Sequence, residues 1–192
     1  MWGLVQDGSI TKIINKPKGM VIGDTRHSRK IFELWSEEEL NNVGLYSVIF
    51  DNSNKRDEEY YNNTNQSFTF AGGVVTASYG TATPKELEDV TDEDGIIIKG
   101  LKSKKKNIIK NQASGLLEPT DWHNHKALDD DTYTIPANIK TYRTNIRTKS
   151  NEMETAINNA SDVDALKALY EYTQQADGSF TRPLGEWPTL EG

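Results

Sequence analysis

The chain has 192 residues, a net charge of -7, 35% apolar residues and no cysteine. That length suits one domain or two small ones, and the low apolar share implies a thin core that gains from a partner or an oligomer. The acidic balance argues against nucleic acid or an anionic membrane as partner, and the lack of cysteine excludes disulfides, thiolate nucleophiles and zinc-finger sites.

The opening stretch MWGLVQDGSI has no basic segment followed by a long apolar one, so no signal peptide is expected. No apolar run approaches the ~18–20 residues of a membrane span. Trp2 to Val5 and Ile10 to Ile14 are short apolar runs around Asp7-Gly8, which predicts a two-residue hairpin because both turn positions need positive φ. Pro17 and Gly19 end the second strand. Ile31 to Trp35 is apolar at alternate positions and predicts a half-buried strand. Ser36 with Glu39 three residues on is a capping box, and Gly44 ends the short helix between them. Leu45 to Phe50 returns to strand, and a polar loop follows. SFTF and VVTASY around AGG predict a second hairpin turning at Gly72-Gly73.

The period then changes. Residues 81–95 carry Pro84 and many acids and predict a linker between a β-rich domain (1–80) and a helical domain (96–176). Leu101, Ile108, Ile109 and Leu116 predict a helix from about Ile96, weakened near Gly115. Its lysines, Lys102 to Lys106, predict a solvated face rather than a phosphate-binding patch. Thr134 as N-cap and Pro136 in the first turn start the strongest helix. Ile135, Ile139, Tyr142, Ile146, Met153, Ala156 and Ala160 give it a heptad stripe, broken at Lys149. A second helix is expected from Ser161, with Asp164 as its capping partner. Val163, Leu166, Leu169 and Tyr170 would form its apolar face, and the two helices would make an antiparallel hairpin. Residues 177–192 predict an extended tail. The fold class is therefore α+β: a β-hairpin-rich domain with one short helix, then a C-terminal helical hairpin.

Few residues point to chemistry. Asp121, His123 and His125 alternate, and on a strand they would share one face able to hold a divalent metal. The competing expectation is architectural: Trp122 packs into a joint and Asp129, Asp130 and Asp131 line a turn. That run lacks the spacing, Gly and Glu of an EF-hand loop. No phosphate loop, nucleophile elbow or Cys–His pair occurs, so no cofactor is expected. Arg143 and Arg147 flank the stripe and are expected to pair with acidic groups. Trp2, Trp35, Trp122 and Trp187 are expected as core or interface anchors.

Two stretches resemble known proteins. KIFELWSEEELNNVGLYSV and SFTFAGGVVTASYGTATPKEL resemble the N-terminal region of tailed-phage fibre-associated proteins, and the opening is similar to marine tailed-phage structural proteins. The second stretch, EPTDWHNHKALDDDTYTIPANIKTYRTNIR, resembles a phage-protein pattern carried by Pro119, Thr120, Asp121, Trp122, Ile135, Pro136, Tyr142, Arg143 and Arg147. In that pattern TDW and IP are fixed and the histidine positions vary, which favours a helix joint over a metal site. The resemblance implies a non-enzymatic virion component, foremost a tail-fibre or tail-adaptor protein assembled in the host cytoplasm. Its partners would be other virion proteins and copies of itself, with a trimer as one arrangement. Trp35, Trp122, Pro136, Ile139, Tyr142, Arg143, Ile146, Arg147 and Met153 are then the expected structural or interface residues. The alternatives are a capsid decoration protein, a fibre-assembly chaperone and a small metal-dependent enzyme using Asp121, His123 and His125.

Overall fold

The computed structural model describes residues 1–190; Glu191 and Gly192, the end of the predicted tail, lie outside the described residues. The fold is α+β, with strands gathered in the N-terminal half and helices in the C-terminal half. The chain divides into two compact units, Met1–Thr83 and Pro84–Gly192.

In the first unit, β1 (Trp2–Gln6) and β2 (Ser9–Ile14) form the expected hairpin. Asp7 and Gly8 have φ of 50° and 74°, the doubly positive turn that matches strand twist. A small hairpin, β3 (Met20–Ile22) and β4 (Thr25–His27), follows. Ile31–Leu34 is helical (α1), not the expected strand. Ser28 decides this: its carbonyl accepts from Ile31 N–H (3.2 Å) and its hydroxyl from Lys30 N–H (3.2 Å), which starts a turn that the next residues continue. Five residues of alternating polarity do not separate a strand from one helical turn that buries Ile31 and leans Phe32 and Trp35 on the core.

The capping box of α2 (Glu37–Asn42) forms as expected. Ser36 Oγ accepts from Glu39 N–H at 3.2 Å, and Glu39 Oε2 accepts from Ser36 N–H at 2.7 Å. Ser36→Ala should destabilise the first unit by about 1 kcal/mol, read from its denaturant midpoint; an unchanged midpoint would show that packing of Leu40 alone holds the helix.

β5 (Leu45–Asp51) leads through the polar loop and β6 (Tyr61–Asn62) to β7 (Ser67–Ala71) and β8 (Val74–Ser78), the second predicted hairpin. The sheet order is β2-β1-β5-β8-β7, with β5 and β8 parallel and the other pairs antiparallel. The edge strands β2 and β7 approach each other, so the sheet curls towards closure. Register puts Trp2, Leu4, Ile14 and Leu45 on one face, where they pack with Met20, Ile31 and Leu40. Val75 and Ala77 are fully buried on the opposite, concave face. Gly3 makes room there: a Cβ on it would sit 3.0 Å from Val75 Cγ2.

The second unit begins with short strands where a linker was expected. After β9 (Thr83–Pro84), β10 (Val90–Thr91) pairs with β11 (Ile97–Ile98). Helix α3 (Leu101–Leu117) therefore starts later than Ile96. A 3-10 turn (Glu118–Thr120), α4 (Asp121–Asp129), α5 (Ala137–Asn159), α6 (Val163–Ala168) and a last hairpin, β12 (Thr173–Gln174) with β13 (Phe180–Thr181), follow. The helical hairpin does not join α5 to α6. The antiparallel pair is α3 with α5: Lys106 meets Asn158, Lys110 meets Glu154 and Leu117 meets Arg143. Helix α6 has only six residues, too few to cover α5, and it is capped by Asp162, whose Oδ1 accepts from Ala165 N–H at 2.8 Å, rather than by Ser161. The tail is tied down where Leu184, fully buried, donates its N–H to Leu169 O (3.0 Å). Among the described residues no helix is long and apolar enough to cross a membrane.

Candidate functional site

Apart from Trp35, which lies in the first unit, the residues singled out in the sequence lie on or beside α4 and α5 of the second. The buried stripe of α5 is Ile139, Arg143, Ile146, Ser150, Met153 and Ile157, continued by Ala160. These steps of four and three are a true heptad, but its register differs from the expected one. Arg143 and Ser150 replace Tyr142 and Lys149 because both polar side chains face inwards, and Ile157 replaces Ala156. The stripe lies against α3, whose Leu101, Ile109 and Ala113 are buried. Ile139, Ile146 and Met153 are thus core residues of one chain rather than a free oligomerisation seam. Pro136 precedes α5 as its N-cap, and its carbonyl accepts the first helical bond from Lys140 N–H at 3.1 Å. Thr134 makes no cap.

Arg143 is the centre of the joint. Its guanidinium is buried and donates to Leu117 O (3.0 Å), Thr120 Oγ1 (2.5 Å) and Asp121 Oδ1 (2.7 Å). Tyr142 donates its hydroxyl to Leu116 O (3.2 Å) and Thr120 its hydroxyl to Leu117 O (2.7 Å). The last carbonyls of a helix lack intrahelical donors, and here Tyr142, Arg143 and Thr120 supply them. The expected ion pair of Arg143 exists, with Asp121, and it also acts as a C-terminal clasp for α3. Arg147 is exposed and donates to Arg143 O at 3.4 Å.

Asp121, His123 and His125 lie on α4, a helix, so alternate positions point roughly 200° apart and the shared metal face does not form. Asp121 is held by Arg143, His123 is buried with Nδ1 against the Tyr133 hydroxyl, and His125 is exposed. No group of three His, Cys, Asp or Glu among the described residues is placed to hold a metal. Trp122 stacks on His123 (3.8 Å between ring centres, 26° apart) but is 53% exposed, so it covers the joint from outside instead of packing within it. Lys126 lies over the Tyr133 ring at 4.4 Å. Asp130 closes the turn after α4, accepting from Thr132 N–H at 3.0 Å and from the Thr132 hydroxyl. These bonds hold its carboxyl below the usual range, the hydroxyl contributing most. Trp35 is half-buried and meets His27 edge-on, with ring centres 5.4 Å apart.

The basic run of α3 is solvated only in part: Lys104 is exposed. Lys102 and Lys105 are buried. Lys102 pairs with Glu88 at 2.6 Å, Lys105 lies over the Tyr170 ring at 4.4 Å, Lys106 donates to Asn158 at 2.8 Å and Lys110 meets Glu154 at 3.4 Å. The segment before α3 also caps it. Leu101 N–H donates to Glu86 O, Lys102 N–H to Leu87 O and Gly100 N–H to Asp89 Oδ1, all within 3.0 Å. The Lys99 ammonium at 2.9 Å, then the Ser103 side chain and the Gly100 amide, pull the Asp89 carboxyl down to about 2. A folded-state value below the unfolded one stabilises at pH above the unfolded value and is lost as pH falls through the folded value. A carboxyl-carbon NMR titration should place the Asp89 midpoint near 2, and amide exchange in the first turn of α3 should rise only in that acidic range. A midpoint near 3.8 would show that this cap is open in solution.

A cavity of about 310 Å³ is lined by Gln112, Gly115, Leu116, Arg182, Gly185 and Trp187, with Trp187 Nε1 donating to Gln112 Oε1 at 3.2 Å. None of these side chains makes a nucleophile–base pair. No protein-family model, curated protein or solved structure matches the chain. The inward Arg143 and the Tyr133–His123–Trp122 stack were not legible in advance. The one available signal was the pairing of Tyr142 and Arg143 with Thr120 and Asp121 in the motif stretch.

Proposed function

We propose that this chain is a non-enzymatic component of a tailed-phage virion, foremost a tail-fibre or tail-adaptor protein, acting through protein–protein assembly. One observation carries the reading. The residues that bear the phage resemblance, Thr120, Asp121, Tyr142 and Arg143, interlock as a clasp on the end of α3. A motif whose members bond to one another and to helix carbonyls sets the shape of a scaffold and leaves no reactive group free for substrate. Partners in this reading are other virion proteins. Self-association would use surfaces other than the α5 stripe, because that stripe is buried within the chain.

A second reading, a fibre-assembly chaperone absent from the finished particle, is favoured by the same burial: the heptad stripe of α5 is used inside the chain and is not offered to a coiled-coil fibre. Deleting the reading frame from the phage that carries it tests both. Particles without fibres are expected, and complementation in trans should restore them. Deletion particles with normal fibres and tails would overturn the assembly reading.

A further inference from the structure

The β10–β11 hairpin is anomalous for a protein surface. Ile96, Ile97 and Ile98 are 61%, 58% and 55% exposed, and Val90 beside them is 41% exposed. Single exposed apolar side chains are ordinary, but three consecutive ones, two of them in strand β11, are not. Ile97 projects from one face and Ile96 and Ile98 from the other, since side chains alternate along extended chain. The ladder has two strands and no third neighbour among the described residues.

Such a hairpin is marginal in water by itself. Here it is braced at both ends. At the tip the Asp92 carboxylate accepts from Asp94 N–H (3.0 Å) and Ile96 N–H (2.8 Å), Asp92 N–H donates to Ile96 O (3.0 Å), and Gly95 turns the chain at φ 80°. At the base Asp89 binds Lys99 and the Gly100 amide. The result is an apolar edge held extended before anything docks, which lowers the ordering cost of binding. Exposed edges are usually blunted by lysine or proline. This one instead has Asp92, Glu93 and Asp94 at its tip, and Lys99 at its base is paired with Asp89.

We propose that β10–β11 is a docking edge for an extended segment of a partner protein in which apolar residues alternate with lysine or arginine, added as a third strand. Main-chain bonds supply the pairing, the isoleucines take the apolar side chains, and the acidic tip selects the basic ones. A second copy of this chain is disfavoured as occupant because its matching edge, residues 90–98, offers no lysine or arginine to the acidic tip. The inference rests on the assembly reading and gives the partner its chemistry.

The test is fluorescence anisotropy on the full chain with a labelled Lys-Val-Lys-Val-Lys-Val-Lys peptide, and the Glu-Val counterpart as control. Saturable binding of the basic peptide alone is expected, weakening with salt. It should fall at least about tenfold in Ile96→Thr/Ile97→Thr/Ile98→Thr, which keeps strand-forming residues, and also in Glu93→Lys/Asp94→Lys, which leaves the strands untouched. No saturable binding, equal binding of both peptides, or binding indifferent to both variants would overturn the site. So would self-association that the triple variant abolishes, which would assign the edge to a second copy. A failed titration alongside fibreless deletion particles would remove the docking edge and leave the assembly reading in place.

Discussion

Replacing Arg143 by alanine should clearly destabilise the second unit. The change leaves Leu117 O, Thr120 Oγ1 and the Asp121 carboxylate without their common donor. Breaking a buried charged cluster from one side costs about 3–5 kcal/mol. The Asp121 side chain is 48% exposed and water will solvate it, so the low end, about 3 kcal/mol, is expected. Arg143→Lys should recover only part of this, because a point charge cannot reach all three acceptors as the guanidinium fork does. Arg147→Ala, at an exposed site, should change stability by less than about 0.5 kcal/mol. Denaturant-dependent hydrogen exchange in α3 and α5 measures these differences. Equal effects at Arg143 and Arg147 would mean that the clasp contributes nothing.

The largest effect in the first unit is expected at Gly44. It ends α2 at φ 84°, and a Cβ there would lie 2.4 Å from Val5 O, a backbone atom of β1. Its carbonyl also accepts from Val5 N–H at 2.8 Å. An alanine must adopt the left-handed region and push β1 off β5 together. These two strains sum to about 3 kcal/mol. Gly44→Asn should still be harmful, though less so than alanine, since asparagine relieves the φ preference and not the clash. Gly72→Asn is the control: φ is 56°, nothing lies within 4 Å of its Cβ, and little loss is expected. Exchange rates in β1, β2 and β5 report the outcome. If Gly44→Asn were as mild as Gly72→Asn, the close approach to β1 would not exist in solution.

Gly72 shows what the sequence makes legible. Asp7-Gly8, Gly72-Gly73 and the Ser36–Glu39 box are local: their chemistry forces a turn or a cap whatever lies further along the chain. The α+β class followed from the change in period near residue 81. Non-local choices were hidden. Nothing in the alternation of Leu45–Asp51 and Val74–Ser78 announces that they pair in parallel. The stripe of α5 was misread by one position because Arg143 and Ser150 are buried polar residues, which a hydrophobic pattern cannot count. The Asp121, His123 and His125 spacing implied a metal face only on a strand, and the 3-10 turn at Glu118–Thr120 feeds helix instead. Ile31–Leu34 was decided by Ser28, outside the apolar window that was read.

The assembly account rests most directly on where this chain ends up. In the proposed reading the chain comes from a phage, and quantitative mass spectrometry of that phage's purified particles would count its copies against the major capsid protein. A tail-fibre or adaptor component predicts a few to a few tens of copies in each particle. Hundreds would place it on the capsid surface, and absence from particles that carry complete fibres would contradict the virion-component account and leave the assembly chaperone.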